Sequence, residues 1–426
     1  MKKVNLLLAA VVAASVSAPA VADYTPNATF FGYMRAGVGV DKNGKFNGND
    51  GIAQKVGRLG NESNLYGEIG IGADVAKVDN TVWTVNSMIS VQESSTSSYT
   101  NLNGDNNNRV GLRQFNVEVK GLFESDKDAL VWVGKRYVQR EDIHITDLRY
   151  YDISGEGAGI ENVSLGSGKF AFSYVQHASD KHTFDARYSF PIWDGATLQI
   201  GNAYSQMIRQ TNDGSETSRQ ANGNMFSIEF TQGFNGGWNK TVLMWKTGNE
   251  CGNLGTAYNY NDGNEYDFYN FGETTIAGDL HLFHQVDFSY IDFDHKSYEF
   301  DGGVAAEDMK QKTYRVVLRP WYKLTKMTRI VTEFGAYGEY KEYKDGTKKH
   351  DRIQKATLAY AITPDAGNFW SRPEIRFFAT WLHGTDNDIT YSGIKHANDF
   401  DLEGRGTGYR DGTTDMQVGV QVEAWW

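Results

Sequence analysis

"MQVGVQVEAWW", residues 416–426, is the stretch whose reading decides the fold. In an extended chain successive side chains point to opposite faces. Gln417, Gly419, Gln421, Glu423 and Trp425 therefore share one face, and Met416, Val418, Val420, Val422, Ala424 and Trp426 share the other. The second face is wholly apolar. The first holds amides, a carboxylate and one indole, so two adjacent tryptophans meet different surroundings. Such a strand suits a soluble β-sandwich, or a barrel wall standing between lipid and water.

The same alternation recurs along the chain. In "TFFGYMRAGVGV" (29–40) Phe30, Met34, Ala36, Val38 and Val40 alternate with Phe31, Tyr33, Arg35, Gly37 and Gly39. In "LYGEIGIGADV" (65–75) Leu65, Ile69, Ile71, Ala73 and Val75 alternate with Tyr66, Glu68, Gly70, Gly72 and Asp74. "FNVEVKG" (115–121), "TLQIGNAYSQ" (197–206), "FSIEFTQG" (226–233), "HQVDFSYIDF" (284–293) and "TYRVVLRPWYK" (313–323) repeat it, with turn-rich stretches such as "NDGSETSRQANGN" (212–224) between them. No run of 18 apolar residues follows the N-terminus, so a helical span is not expected, but a transmembrane β-barrel evades that test.

The chain has 426 residues with 46 Gly, 24 Tyr, 23 Phe, only 6 Pro and no visible linker, which predicts one large β-rich unit. Its start, "MKKVNLLLAAVVAASVSAPAVAD", reads as a secretory signal peptide cleaved after Ala22: two lysines, an apolar stretch and an Ala20-Val21-Ala22 site. Residues 1–22 are thus expected to leave, and residues 23–426 to form the barrel domain. Losing Lys2 and Lys3 makes the formal charge of −11 more negative still. At about 22 residues per strand with its share of loop, the mature chain yields roughly 16 to 18 strands, enough to enclose an aqueous channel. A closing aromatic on the apolar face of the last strand meets the membrane interface, where indoles settle. The polar face mixes Tyr33, Tyr66 and Trp425 with Arg35, Glu68 and Glu423. Sugars want that mixture: C–H faces pack on rings, and hydroxyl edges want charged or amide partners.

At this point the sequence resembles the maltoporin (LamB-type glycoporin) family. The matching stretches are "FFGYMRAGVG" (30–39), "RLGNESNLYGEIGIG" (58–72), "WVGKRYVQREDIHITDLRYYDISGEGAGIENV" (132–163), "LRPWYK" (318–323), "FWSRPEIRFFATW" (369–381) and "VQVEAWW" (420–426). The resemblance implies an all-β fold: an 18-stranded antiparallel transmembrane barrel with an inward-folded constriction loop, assembled as a homotrimer in the outer membrane of a Gram-negative bacterium. It implies passive, saturable diffusion of maltose and maltodextrins along an aromatic slide. Tyr33, Tyr66, Trp370 and Trp425 would be its rungs, with Tyr258 and Tyr99 as two further ones, the latter replacing a ring that a neighbouring subunit contributes. The polar track and constriction would be Arg35, Arg58, Glu68, Arg113, Arg140, Asp142, His144 and Asp147. Arg149 stands where the family has a tyrosine. A porin for sucrose or β-glucosides and a general diffusion porin remain alternatives. Outer-membrane lipid is an expected partner, a periplasmic sugar-binding protein and phage are open ones, and nucleic acid is not expected.

The third stretch, 132–163, also reads independently as a loop carrying charges of both signs, closed by the glycines of "SGEGAG" (154–159). Folded inward, it would make a narrow charged passage that sieves by size and hydrogen bonding. Other chemistries find little footing. Cys251 is alone, so no intramolecular disulfide forms, and the 9 His include no HExxH. The Asp-rich "YNDGNEYD" (260–267) lacks EF-hand spacing, and no GxSxG or Walker sequence occurs, so no metal, cofactor or catalytic residue is expected. A barrel phospholipase or protease and a purely adhesive barrel are the rival classes.

Overall fold

The computed structural model describes residues 27–44, 52–62, 64–93, 109–177, 181–207, 211–212, 215–216, 221–248, 250–251, 262–294, 309–343, 345–385, 399–400, 406–407 and 413–426. The expected signal peptide, Tyr99 and Tyr258 lie outside them. Eighteen strands form one sheet closed on itself. They are β1 (Asn27–Asp41), β2 (Leu65–Val78), β3 (Thr81–Glu93), β4 (Arg109–Lys120), β5 (Leu130–Arg136) and β6 (Gly155–Leu165). β7 (Gly168–Gln176), β8 (Lys181–Trp193), β9 (Ala196–Met207), β10 (Ala221–Phe234), β11 (Gly237–Gly248) and β12 (Asp262–Ala277) continue the order. β13 (Leu280–Asp294), β14 (Met309–Lys323), β15 (Thr328–Tyr343), β16 (Lys348–Ile362), β17 (Glu374–Thr385) and β18 (Thr413–Trp425) complete it. Each strand pairs antiparallel with its sequence neighbours, and β1 pairs with both β2 and β18. Closure leaves no unpaired edge, the condition for crossing lipid with strands.

Every second connection lies at one rim, and five of these, β2–β3, β6–β7, β8–β9, β10–β11 and β12–β13, are two-residue turns. At Asn235-Gly236 both φ angles are positive, 42° and 76°, as a two-residue hairpin turn of matching twist requires. The other connections leave from the opposite rim. The alternation read from sequence holds across the wall: Phe30, Met34, Val38, Met416, Val418 and Trp426 are exposed on the outer face, whereas Arg35, Glu68, Gln417, Gln421 and Glu423 are buried on the inner one. Gly32 serves closure directly. A Cβ there would stand 2.5 Å from both the Glu68 carbonyl oxygen and the Trp426 ring, so the last indole lies across the first strand only because glycine is beneath it. Gly32 and Trp426 exchange backbone hydrogen bonds of 3.1 and 3.2 Å.

Two connections run against the inner face. The stretch between β5 and β6 holds a small hairpin, Glu141–Ile143 with Leu148–Tyr151. Its buried Ile143, Ile145, Tyr150 and Tyr151 pack with Val175, Ala203, Met225, Val242, Phe283 and Val317 of the wall. Hydrogen bonds fix it: Thr146 Oγ1 to Gln285 Oε1 (2.8 Å), Tyr150 O–H to Glu229 (3.0 Å), Tyr151 O–H to Asp185 (2.6 Å), and Arg319 Nη2 to the Ile145 carbonyl (3.2 Å). The β1–β2 connection contributes a one-turn helix, α1 (Ala53–Val56), whose Val56 packs with Ile52, Tyr337, Ile353 and Leu382. Glu333 secures that connection, accepting from Leu59 N–H (3.0 Å) and Lys355 Nζ (2.8 Å).

Candidate functional site

Cross-strand register brings the aromatic residues together. Tyr33 on β1 lies directly opposite Trp425 on β18, and Arg35 lies opposite Tyr66 on β2. The Tyr33 and Tyr66 ring centroids are 6.1 Å apart. Trp370, in the connection between β16 and β17, is 6.3 Å from Trp425. Four of the six expected rings thus form one series from mid-wall toward the short-turn rim. Sequence reading missed its continuation, in which Phe369 stands 5.1 Å and Phe283 6.1 Å from Trp370. It also missed the Arg372 guanidinium, which lies 4.1 Å over the Trp425 ring and covers one face with a cation–π contact.

Beside the rings runs a network centred on Glu423. Its carboxylate accepts from Arg372 Nη2 (2.7 Å), Arg376 Nη2 (2.7 Å) and the Tyr33 hydroxyl (3.0 Å), and Arg58 Nη2 stands 3.1 Å away. Arg58 also donates to Glu62 (2.6 Å) and to Tyr33 (2.7 Å), and Arg35 donates to Glu62 (2.9 Å). A second centre is Glu68, which accepts from the hydroxyls of Tyr66 (2.6 Å) and Tyr137 (2.8 Å). Guanidinium groups lie over both tyrosines, Arg35 at 5.4 Å from Tyr66 and Arg140 at 4.1 Å from Tyr137. Buried charges persist only when paired and hydrogen-bonded, and planar forks meeting carboxylates meet that condition. Arg113 Nε donates to Ser90 Oγ (2.7 Å) and is exposed on the inner side. It sits at a bulge, since Met88 opposes Gln114 while Ile89 opposes Leu112.

The hairpin connection supplies the rest. Asp147 reaches Arg35 and Arg149, each at 3.8 Å. Burial would raise its pKa, but Arg58, Arg149 and Arg35 together hold it below the usual carboxylate range. Asp142, opposite Arg149 in the hairpin, is pushed up by burial and by Asp147. Arg140 lies 3.8 Å from Asp152. His144 sits among rings rather than only beside the charges, 5.2 Å from Trp370 and 5.6 Å from Trp425. Its Nε2 is 3.7 Å from Glu423, yet burial pushes its pKa down to about 4, so at neutral pH it packs as an uncharged ring. Cys251 is buried, its thiol donating to the Lys246 carbonyl at 3.3 Å. Among the described residues no group of His, Cys, Asp and Glu is placed to hold a metal ion.

A closed wall of eighteen strands, apolar outside and lined inside by charges and rings, defines an outer-membrane porin, a channel of the Gram-negative outer membrane. The chain belongs to the LamB porin family, which it matches over residues 28–426. A maltoporin of Vibrio cholerae serotype O1 is 33% identical over an alignment covering 100% of both chains. Maltoporin 1 of Klebsiella pneumoniae is 32% identical, covering 99% of this chain and 97% of its own. Among solved structures, the anion-selective porin from Comamonas acidovorans is 12% identical with a TM-score of 0.45, covering 94% of this chain and 100% of its own.

Proposed function

We propose that this porin is a channel for passive, saturable diffusion of maltose and maltodextrins across the outer membrane, down their concentration gradient. The observation that carries the reading is the ring series Tyr66, Tyr33, Trp425, Trp370 running beside the Glu68, Glu62 and Glu423 networks. A pyranose slides with a C–H face on successive rings while its hydroxyls exchange partners along the charges. Weak repeated contacts suit transport, because a site that held its sugar tightly would not release it. In this reading the hairpin connection is the constriction, Tyr258 and Tyr99 are further rungs, residues 1–22 are a cleaved leader, and the channel works as a homotrimer.

The maltoporin names of the relatives support α-1,4-glucans over other sugars. Single-channel current titrated with maltose, maltotriose, sucrose and cellobiose tests this. Saturable block that strengthens from maltose to maltotriose is the expected result. Stronger block by sucrose or cellobiose would transfer the channel to those sugars, and current that no sugar blocks would make it a general diffusion pore.

A further inference from the structure

Lipid-facing barrel walls are apolar, yet this wall carries a polar patch near its short-turn rim. Val242, Phe271 and Gln285 are buried on the inner side. Their neighbours Thr241, Asn270 and His284, with Asn239, therefore lie on the outer face. Register makes them one patch: Thr241 opposes Asn270, Asn239 opposes Gly272, and Gly272 opposes His284. Asn270 Nδ2 donates to Asn239 Oδ1 (3.0 Å) and Thr241 Oγ1 (2.9 Å), and Asn239 Nδ2 donates to Asn270 Oδ1 (3.2 Å). His284 Nε2 lies 3.0 Å from Asn270 Oδ1 and 3.2 Å from Asn239 Nδ2. These bonds occupy both amides. The Thr241 hydroxyl proton and His284 Nδ1 are left without a partner among the described residues.

Depth and neighbours say what meets them. Asn239 comes just after the Asn235-Gly236 turn, so the patch lies near the short-turn rim, roughly 10 Å along the strand from it. Exposed Phe234 and Ile276 stand rimward of the patch, putting it just inside the interface, where acyl chains join their esters. On the opposite side begins an apolar groove of about 570 Å³ lined by Ile228, Leu243, Trp245, Tyr266, Phe268 and Phe288. All six are exposed on the outer face. Leu243 follows Thr241 by one turn of the pleat and Phe268 precedes Asn270 likewise, so polar patch and groove are continuous.

We propose that this sector is a binding site for one glycerophospholipid of the short-turn-side leaflet. An acyl chain fills the groove, an ester carbonyl accepts from the Thr241 hydroxyl, and His284 Nδ1 meets the glycerol–headgroup oxygens. The patch contains no Lys or Arg, so recognition rests on neutral hydrogen bonding and does not need an anionic headgroup. This site is separate from the channel interior and stands whichever solute the pore carries.

The test is native mass spectrometry of the purified full-length protein in detergent, titrated with diacyl phosphatidylethanolamine and with its diether analogue, which lacks ester carbonyls. One saturable diacyl adduct per chain is expected, with weaker retention of the diether. The double variant Thr241→Val/His284→Phe should lower retention roughly tenfold, the scale of losing one or two hydrogen bonds. Leu243→Trp leaves every polar group intact and fills the groove, so it should lower retention too, with circular dichroism confirming a folded barrel. Equal retention in wild type and both variants, or adducts that never saturate, would overturn the site. So would a cross-link from Asn239→Cys to a protein neighbour, because the occupant would then be protein.

Discussion

Trp425 and Trp426 differ by one position and by everything around them. Trp425 stacks with Arg372 and neighbours Trp370 on the inner side, whereas Trp426 packs on Phe30 at 5.5 Å outside. Trp425→Ala should weaken maltodextrin block by about 1 to 2 kcal/mol, the scale of an aromatic contact, with little effect on folding. Trp426→Ala should impair assembly while leaving sugar affinity almost unchanged. Reversed phenotypes, read by current titration and folding yield, would mean a register slipped by one. Arg149 is 40% exposed in its side chain and held by one carboxylate at 3.8 Å, so it keeps most of its charge for passing ions. Arg149→Tyr should therefore shift the reversal potential in a salt gradient toward cations and strengthen maltodextrin block relative to sucrose. Unchanged values for both would remove Arg149 from the passage. His144 gives a pH dependence. Its pKa of about 4 in the packed connection lies below the roughly 6.5 of a free imidazole, so in that window the unpacked state binds more protons. Packing of residues 137–154 should thus weaken as pH falls from about 6.5 toward 4. Hydrogen exchange corrected for intrinsic rate would show it, and His144→Leu should remove that loss, leaving the opposite contribution of Asp142, whose raised pKa favours packing as pH falls.

The connection between β5 and β6 is held as an element rather than by any one bond. Tyr150 and Tyr151 reach Glu229 and Asp185 on different strands, so their hydroxyls brace the hairpin from two directions. Tyr150→Phe/Tyr151→Phe keeps both buried rings but leaves two carboxylates short of a donor, costing on the order of 1 to 3 kcal/mol each. Noisier current, higher conductance and weaker sugar block are expected, and wild-type noise and block would show that the hydroxyls brace nothing. Much of this architecture was legible in the sequence, because alternation in "MQVGVQVEAWW" or "TFFGYMRAGVGV" reports a local property of one strand. What depends on other strands was not legible. Arg113 reaches the inner side through a bulge against Met88 and Ile89, which no pattern in β4 announces. Glu62 and Gln421 meet at 2.7 Å though 359 residues apart, and Arg372 and Arg376 join Glu423 only because β17 and β18 are neighbours in a closed sheet. The inward course of the β1–β2 connection was likewise hidden, since its anchors Glu333 and Lys355 lie far along the chain.

Around the whole barrel the outer face is not uniform, and that unevenness bears on assembly. The sector of β10–β13 presents large exposed side chains: Phe226, Leu243, Trp245, Tyr266 and Phe288. The sector where the chain closes, β17–β18–β1–β2, interleaves its apolar residues with small ones at Ala379, Ala424, Ala36 and Gly67. Small residues let a second wall approach closely and gain dispersion contact without a hydrophobic drive, which lipid does not supply. A homotrimer should therefore form with this sector buried and the β10–β13 sector left to lipid. The single cysteine, buried Cys251, leaves engineered thiols on an otherwise quiet background. With a short thiol-reactive bifunctional reagent, Ala36→Cys should give cross-linked oligomers from detergent-solubilised protein, and Leu243→Cys should give none. Sedimentation in mild detergent should show a trimer whose interface Ala36→Trp disrupts. A monomer in that experiment would refute the trimer and with it the role of Tyr99 at a neighbouring pore, while a trimer cross-linked through Leu243→Cys would place the interface on the aromatic sector and expel the phospholipid from it.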